Sequence, residues 1–149
     1  MKQPRPLAVP GARLIALCER RGNGKPRDLR DAAHEAFHAL TVNARNWDRE
    51  KIHRALVRKF DRAHLWIHEM HARAVEQLVC RHFGVECGTL ESWVHVSVME
   101  AIKTGAPFAD SGDSLNIARY FMGTDVARGW ADLVIALDAE SDTQPQRGA

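Results

Sequence analysis

Leu29-Arg30-Asp31-Ala32-Ala33-His34-Glu35-Ala36-Phe37-His38-Ala39-Leu40 reads as one amphipathic helix. Leu29, Ala33, Phe37 and Leu40 recur at spacings of four, four and three, which stacks them on one helical face. The helix begins around Pro26-Arg27-Asp28 and fades near Asn43 or Asn46. The same signals continue on both sides. Upstream, residues 10–21 form a helix with Pro10 near its start and Gly22 beyond its end, followed by a Gly22-Asn23-Gly24 turn. Downstream, Asp48 can cap a third helix reaching Phe60, and Asp61 a fourth that runs to Phe83 before Gly84. Thr89 opens a fifth helix that ends at Gly105, with Pro107 just beyond. A sixth spans about Ser114–Met122, after Ser111-Gly112-Asp113 and before Gly123, and Thr124 caps a seventh that includes Trp130 and Leu137. Gly105 to Asp113 reads as an interhelical connection.

Glu140 to Ala149 is polar, with Pro and Gly, and reads as a disordered tail. No stretch alternates convincingly as a strand; residues 12–18 could supply one at most. The expected fold is therefore all-α: one compact domain over residues 1–139, a bundle of about six or seven helices. In it the helix of residues 34–38 packs against a later helix.

Composition narrows the function classes. A chain of 149 residues, 45% hydrophobic and 27% charged, is the size and make-up of one globular domain with a real core. A net charge of +2 leaves no electrostatic footprint for nucleic acid, and Arg20-Arg21 reads as a solvated helix end. No apolar stretch approaches the roughly 20 residues of a membrane span. Met1-Lys2-Gln3-Pro4-Arg5-Pro6 leads into a short apolar segment broken by Pro10 and Gly11, a poor signal peptide. Cys18, Cys80 and Cys87 are odd in number and lack C-x-x-C spacing, so reduced thiols in a cytoplasmic protein are expected.

The chemistry lies in His34-Glu35-Ala36-Phe37-His38, an H-E-x-x-H pattern. Residues four apart on a helix point the same way, so His34 and His38 can offer two imidazoles to one ion. Glu35, one position round, can reach a water on that ion. A catalytic zinc site wants three protein ligands and an open position. The fourth helix offers the third in Glu69, a carboxylate on a face otherwise apolar with Leu65, Trp66, Ala72, Cys80 and Phe83. A carboxylate there is costly without a partner, and a cation is a good one. A salt bridge from Glu69 to Arg62 or Arg73 is the plainer alternative. His64, His68, His71 and His82 form a second stripe, from which His68 or His71 could replace Glu69. His53 and His95 read as structural, and Cys80, His82 and Cys87 match no zinc-knuckle spacing. Trp47, Trp66, Trp93 and Trp130 are expected in the core.

His34-Glu35-x-x-His38 on one helix with Glu69 on a later one resembles the gluzincin type of zinc metallopeptidase. More narrowly, Asp31 to His38 followed by Glu69 to Gly84 is similar to the metallopeptidase-like domain of plasmid antirestriction proteins. Glu69-Met70-His71-Ala72 also resembles the Glu-x-x-Ala of small metallopeptidases of integrative elements that inactivate phage-type repressors. These resemblances cover about residues 28–86 and imply His34, His38 and Glu69 as Zn²⁺ ligands, Glu35 as acid/base, and a protein carried by a mobile element. One position departs from the pattern: the acidic residue that often follows the third ligand by four is Arg73 here. Asp31 or Glu76 could instead accept a ligand imidazole N–H. Tyr120, His71, His95 and Arg73 are the candidate oxyanion donors.

Three function classes follow. The first is a zinc metallopeptidase-like protein that hydrolyses a peptide bond in a specific regulatory or defence protein. The second is a catalytically inactive zinc-binding protein of antirestriction type that acts by binding a partner protein. The third is a metal-free helical bundle.

Overall fold

A computed structural model describes residues 11–20, 28–43, 64–105 and 111–143. Among them every regular element is a helix: α1 (Ala12–Arg20), α2 (Leu29–Asn43), α3 (His64–Phe83), α4 (Leu90–Lys103), α5 (Ser111–Met122) and α6 (Asp125–Thr143). The all-α bundle expected from the spacing pattern is the observed fold. Residues 12–18, the one stretch offered as a strand, lie in α1.

Local chemistry accounts for the helix ends. Asp28 accepts the Asp31 N–H at 2.9 Å and so caps α2. Thr89 accepts from Ser92 N at 3.1 Å at the start of α4, and Thr124 from Ala127 N at 3.1 Å at the start of α6. Gly84 ends α3 at φ +67°, where Gly84 N–H bonds Arg81 O at 3.2 Å and Val85 N–H bonds Cys80 O at 3.0 Å. That is a Schellman closure, which glycine enters without a Cβ penalty. α1 takes its N-terminal acceptor from a distance: Asp138 on α6 accepts the Leu14 N–H at 2.8 Å.

Some boundaries differ from the sequence reading. α5 starts at Ser111 rather than Ser114, so Ser111-Gly112-Asp113 is helix and not connection. α6 continues to Thr143, into the stretch from Glu140 that composition assigned to a tail. The expected Asp48–Phe60 helix, the Asp61 cap and residues 144–149 lie outside the described residues.

α3 is the axis of the bundle and packs against α2, α4, α5 and α6, while α1 closes against α2 and α6. Residues 70–77 of α3 are buried on every side. Phe37, Met70, Val75, Val79, Val94, Ile117, Phe121 and Val134 form the core around it. A central helix of this kind would normally be apolar throughout. This one also buries His71, Arg73, Glu76 and Gln77, so its polar groups must find partners inside the bundle.

Candidate metal centre

α2 and α3 face each other, and the facing polar side chains meet at one point. His34 and His38 sit one helical turn apart on α2, and Glu69 reaches them from α3. His34 Nε2 lies 3.1 Å from Glu69 Oε1, and His38 Nε2 lies 3.2 Å from Glu69 Oε2. The two Nε2 atoms are 3.0 Å apart. Donor atoms at about 2.0–2.1 Å from a tetrahedral ion stand about 3.3–3.4 Å from one another. The three side chains therefore already have the spacing of a metal-ligand set, short by a few tenths of an ångström, and could hold a metal ion. Side-chain exposures of 12% for His34, 28% for His38 and 29% for Glu69 leave one side of the cluster open.

A second carboxylate orients the His34 ring. His34 Nδ1 donates to Glu76 Oε2 at 2.9 Å. An ionised carboxylate only accepts, so Nδ1 carries the proton and Nε2 is the atom presented to the site. Glu76 has 0% side-chain exposure and is itself tied down. Arg73 Nη1 donates to its two oxygens at 3.0 and 3.3 Å, and Arg30 Nη1 stands 3.8 Å from Oε1. Arg73 Nε donates to Ser97 Oγ at 2.7 Å, and the Arg30 guanidinium lies 3.3 Å over the Trp93 ring. Helix α4, which carries no ligand, thus holds both arginines that hold the carboxylate. This is the outer-shell brace that metal-bound histidines commonly have.

The departure at Arg73 gains a physical meaning. The bracing acid comes seven residues after Glu69 instead of four, two helical turns on, and Arg73 fixes it there. Asp31 pairs with Arg30 at 2.6 Å, while the bond to His34 is made by Glu76. Glu69 makes only a long 3.9 Å approach to Arg73, its shorter partners being the histidines. Replacing Glu76 by Gln removes a buried charge between two guanidinium groups and weakens the grip on His34. Metal affinity should fall about 10–100-fold, read by competition with a chromophoric chelator. Unchanged affinity would show that packing alone orients the ring.

Without a metal, protons occupy the cluster. Burial alone would lower the His34 pKa, but hydrogen bonds to Glu69 and Glu76 outweigh it and raise it from 6.5 to about 9. Burial likewise would raise Glu69, yet the two histidines hold it well below the ordinary carboxylate range. A folded-state pKa raised for His34 stabilises the metal-free protein below about 6.5, and that stabilisation is lost as pH climbs through 9. A metal must displace this proton, so its affinity should rise with pH by about one proton's worth up to 9. The difference in melting temperature between loaded and metal-free protein should widen over the same window. A flat pH dependence between 6.5 and 9 would rule out proton displacement at His34.

The remaining candidates fall elsewhere. His68 Nε2 is engaged with Thr41 Oγ1 at 2.8 Å, and its ring packs edge-on against His38 at 4.9 Å. His71 is buried and stacks on Phe121 at 4.0 Å; burial first, then the neighbouring His68, pushes its pKa down to about 3. Neither belongs to the converging set. Tyr120 on α5 is 42% exposed and His95 on α4 is exposed, while α5 does not pack on α2. Trp130 is buried against Phe37, as expected of a core tryptophan. Trp93 is not a core residue; it is half-buried and serves as the plate under Arg30. His53, Trp47 and Arg62, and the side chains of His64 and Trp66, lie outside the described residues. Arg30, Trp93 and Ser97 were not foreseen as site residues, because nothing local marks them. No protein-family model matches the chain, and no curated protein or solved structure is significantly similar to it.

Proposed function

We propose that the chain is a zinc-dependent, metallopeptidase-like protein of a mobile element that hydrolyses a peptide bond in a specific regulatory or defence protein. One observation carries this reading: two Nε2 atoms and a carboxylate converge within 3.0–3.2 Å, beside Glu35 on the same helix. Two imidazoles, one carboxylate and an open side form the donor set of a catalytic zinc. When bound there, zinc supplies Lewis acidity, acidifying water and polarising a carbonyl.

The chain's own residues divide the remaining work. His34, His38 and Glu69 hold the ion, and Glu76 keeps the His34 ring turned toward it. Glu35 is half-buried, and no hydrogen bond or ion pair engages it among the described residues. Its carboxylate is therefore free to take a proton from the attacking water and return it to the leaving amine. The resemblance to antirestriction and repressor-inactivating proteins supports a protein substrate, and three cysteines without C-x-x-C spacing support a cytoplasmic setting. No helix among the described residues is long and apolar enough to cross a membrane. Glu35→Gln should keep the metal and lower cleavage by about 10²–10⁴-fold. If biological activity survives that change, the peptidase reading fails.

A second reading is favoured by one feature of the fold. Peptidases of this kind commonly lay the substrate along an edge strand. The stretch that could have supplied it is α1. The alternative is a catalytically inactive zinc-binding protein whose metal clamps α2 to α3 as a scaffold for a partner protein. It predicts full activity for Glu35→Gln and loss of activity for any ligand substitution.

A further inference from the structure

We propose that Cys80 and Cys87 form a dithiol–disulfide site, oxidised by a peroxide-class oxidant, that covalently links the end of α3 to the segment entering α4. The Schellman turn at Gly84 folds the chain back over the last turn of α3. It sets Cys87 beside Cys80 in the wall of one cavity, near enough for the two thiols to influence each other. The backbone at Cys87 is pinned as well, since the Trp93 indole N–H donates to its carbonyl. Gly88, at φ +81°, permits that approach: a Cβ there would lie 2.5 Å from Trp93 Nε1.

Both cysteines line a cavity of about 500 Å³, with Gln77, Val85, Leu90 and Met122 around them, away from the metal-ligand set. Cys87 is partly exposed, whereas Cys80 is fully buried, so the oxidant meets Cys87 first. Cys18, the third thiol, is buried on α1 and donates to the Ala32 carbonyl at 3.6 Å.

The chemistry balances with hydrogen peroxide alone. Cys87 sulfur attacks one peroxide oxygen; the S–O bond forms, the O–O bond breaks, and the departing oxygen leaves as water with the thiol proton. Cys80 sulfur then attacks the sulfenic sulfur; the S–S bond forms, the S–O bond breaks, and a second water carries off the Cys80 proton. Burial is the main cause that raises both thiols above the ordinary cysteine range, so the reaction is slow at neutral pH.

The test uses the full chain, treated with hydrogen peroxide, alkylated, and digested with trypsin. Arg81 lies between the two cysteines, so cleavage separates peptide 74–81 from peptide 82–103. The expected product is one species joining these peptides, lighter by two hydrogens than their sum and abolished by dithiothreitol. Cys80→Ser should instead leave Cys87 as sulfenic acid trapped by dimedone, or as sulfinic acid. Wild-type Cys87 driven to sulfinic acid while Cys80 remains alkylatable would overturn the proposal. So would two alkylatable thiols at a dose that oxidises methionine. The wild-type readout stands even if the serine variant fails to fold.

Discussion

His38→Ala should abolish the zinc binding proposed for this cluster, a larger loss than the one expected for Glu76→Gln. Two donors, His34 Nε2 and the Glu69 carboxylate, would remain of three. Structural zinc contributes about 10–16 kcal/mol in small zinc domains, so one ligand is worth far more than the 10–100-fold of an outer partner. A metal that binds only the folded state stabilises it by about 4 kcal/mol at a thousand times its dissociation constant. That increment disappears with the ligand. The packing lost is small, because His38 is partly exposed and touches Phe37 and His68 only through tilted or edge-on ring contacts. The metal-free variant should therefore melt near the metal-free wild type, while added zinc raises the melting point of the wild type alone. Stoichiometric zinc in purified His38→Ala, measured by inductively coupled plasma mass spectrometry, would refute the assignment of the cluster.

Phe37→Ala should cost about 3–5 kcal/mol of folding free energy whether or not metal is present. The ring is fully buried on the inner face of α2, between His34 and His38 in sequence. It touches His38, His68, His71 and Trp130, and so joins α2 to α3 and α6 at one point. Truncation leaves a cavity whose walls are rings and helix backbone, which cannot collapse far. A loss of this size is about a fifth or more of the stability of a typical domain. Urea denaturation of the metal-free protein should show a lower midpoint at unchanged slope. A change below about 1 kcal/mol would mean that α2 does not depend on this contact.

The H-E-x-x-H helix could be placed within a residue or two because Leu29, Phe37 and Leu40 repeat with the helical turn and Asp28 stands at its start. Thr89 and Thr124 were readable for the same reason, a cap being a contact between residues three apart. Glu69 could be singled out as a carboxylate on an apolar face. That argument favoured Glu69 but left His68 and His71 open as replacements, since these three share about one turn of one helix. The rotation of α3 against α2 made the difference. It turns Glu69 to the histidines, His68 to Thr41, and His71 into the core against Phe121.

The brace shows where sequence reading ends. Trp93 looked like a core residue and Arg73 like a lost acid, yet with Arg30 and Ser97 they hold Glu76 in place. Helix type, helix ends and the pair His34/His38 depend on spacings of three and four, and such regularities are written along the chain itself. The His34–Glu76 bond joins residues 42 apart, and the clamp on Glu76 needs α4 as well. Contacts of that range arise only when side-chain packing sets the separation and rotation of whole helices, and the convergence of Glu69 on the histidines and the clamp on Glu76 came into view only there.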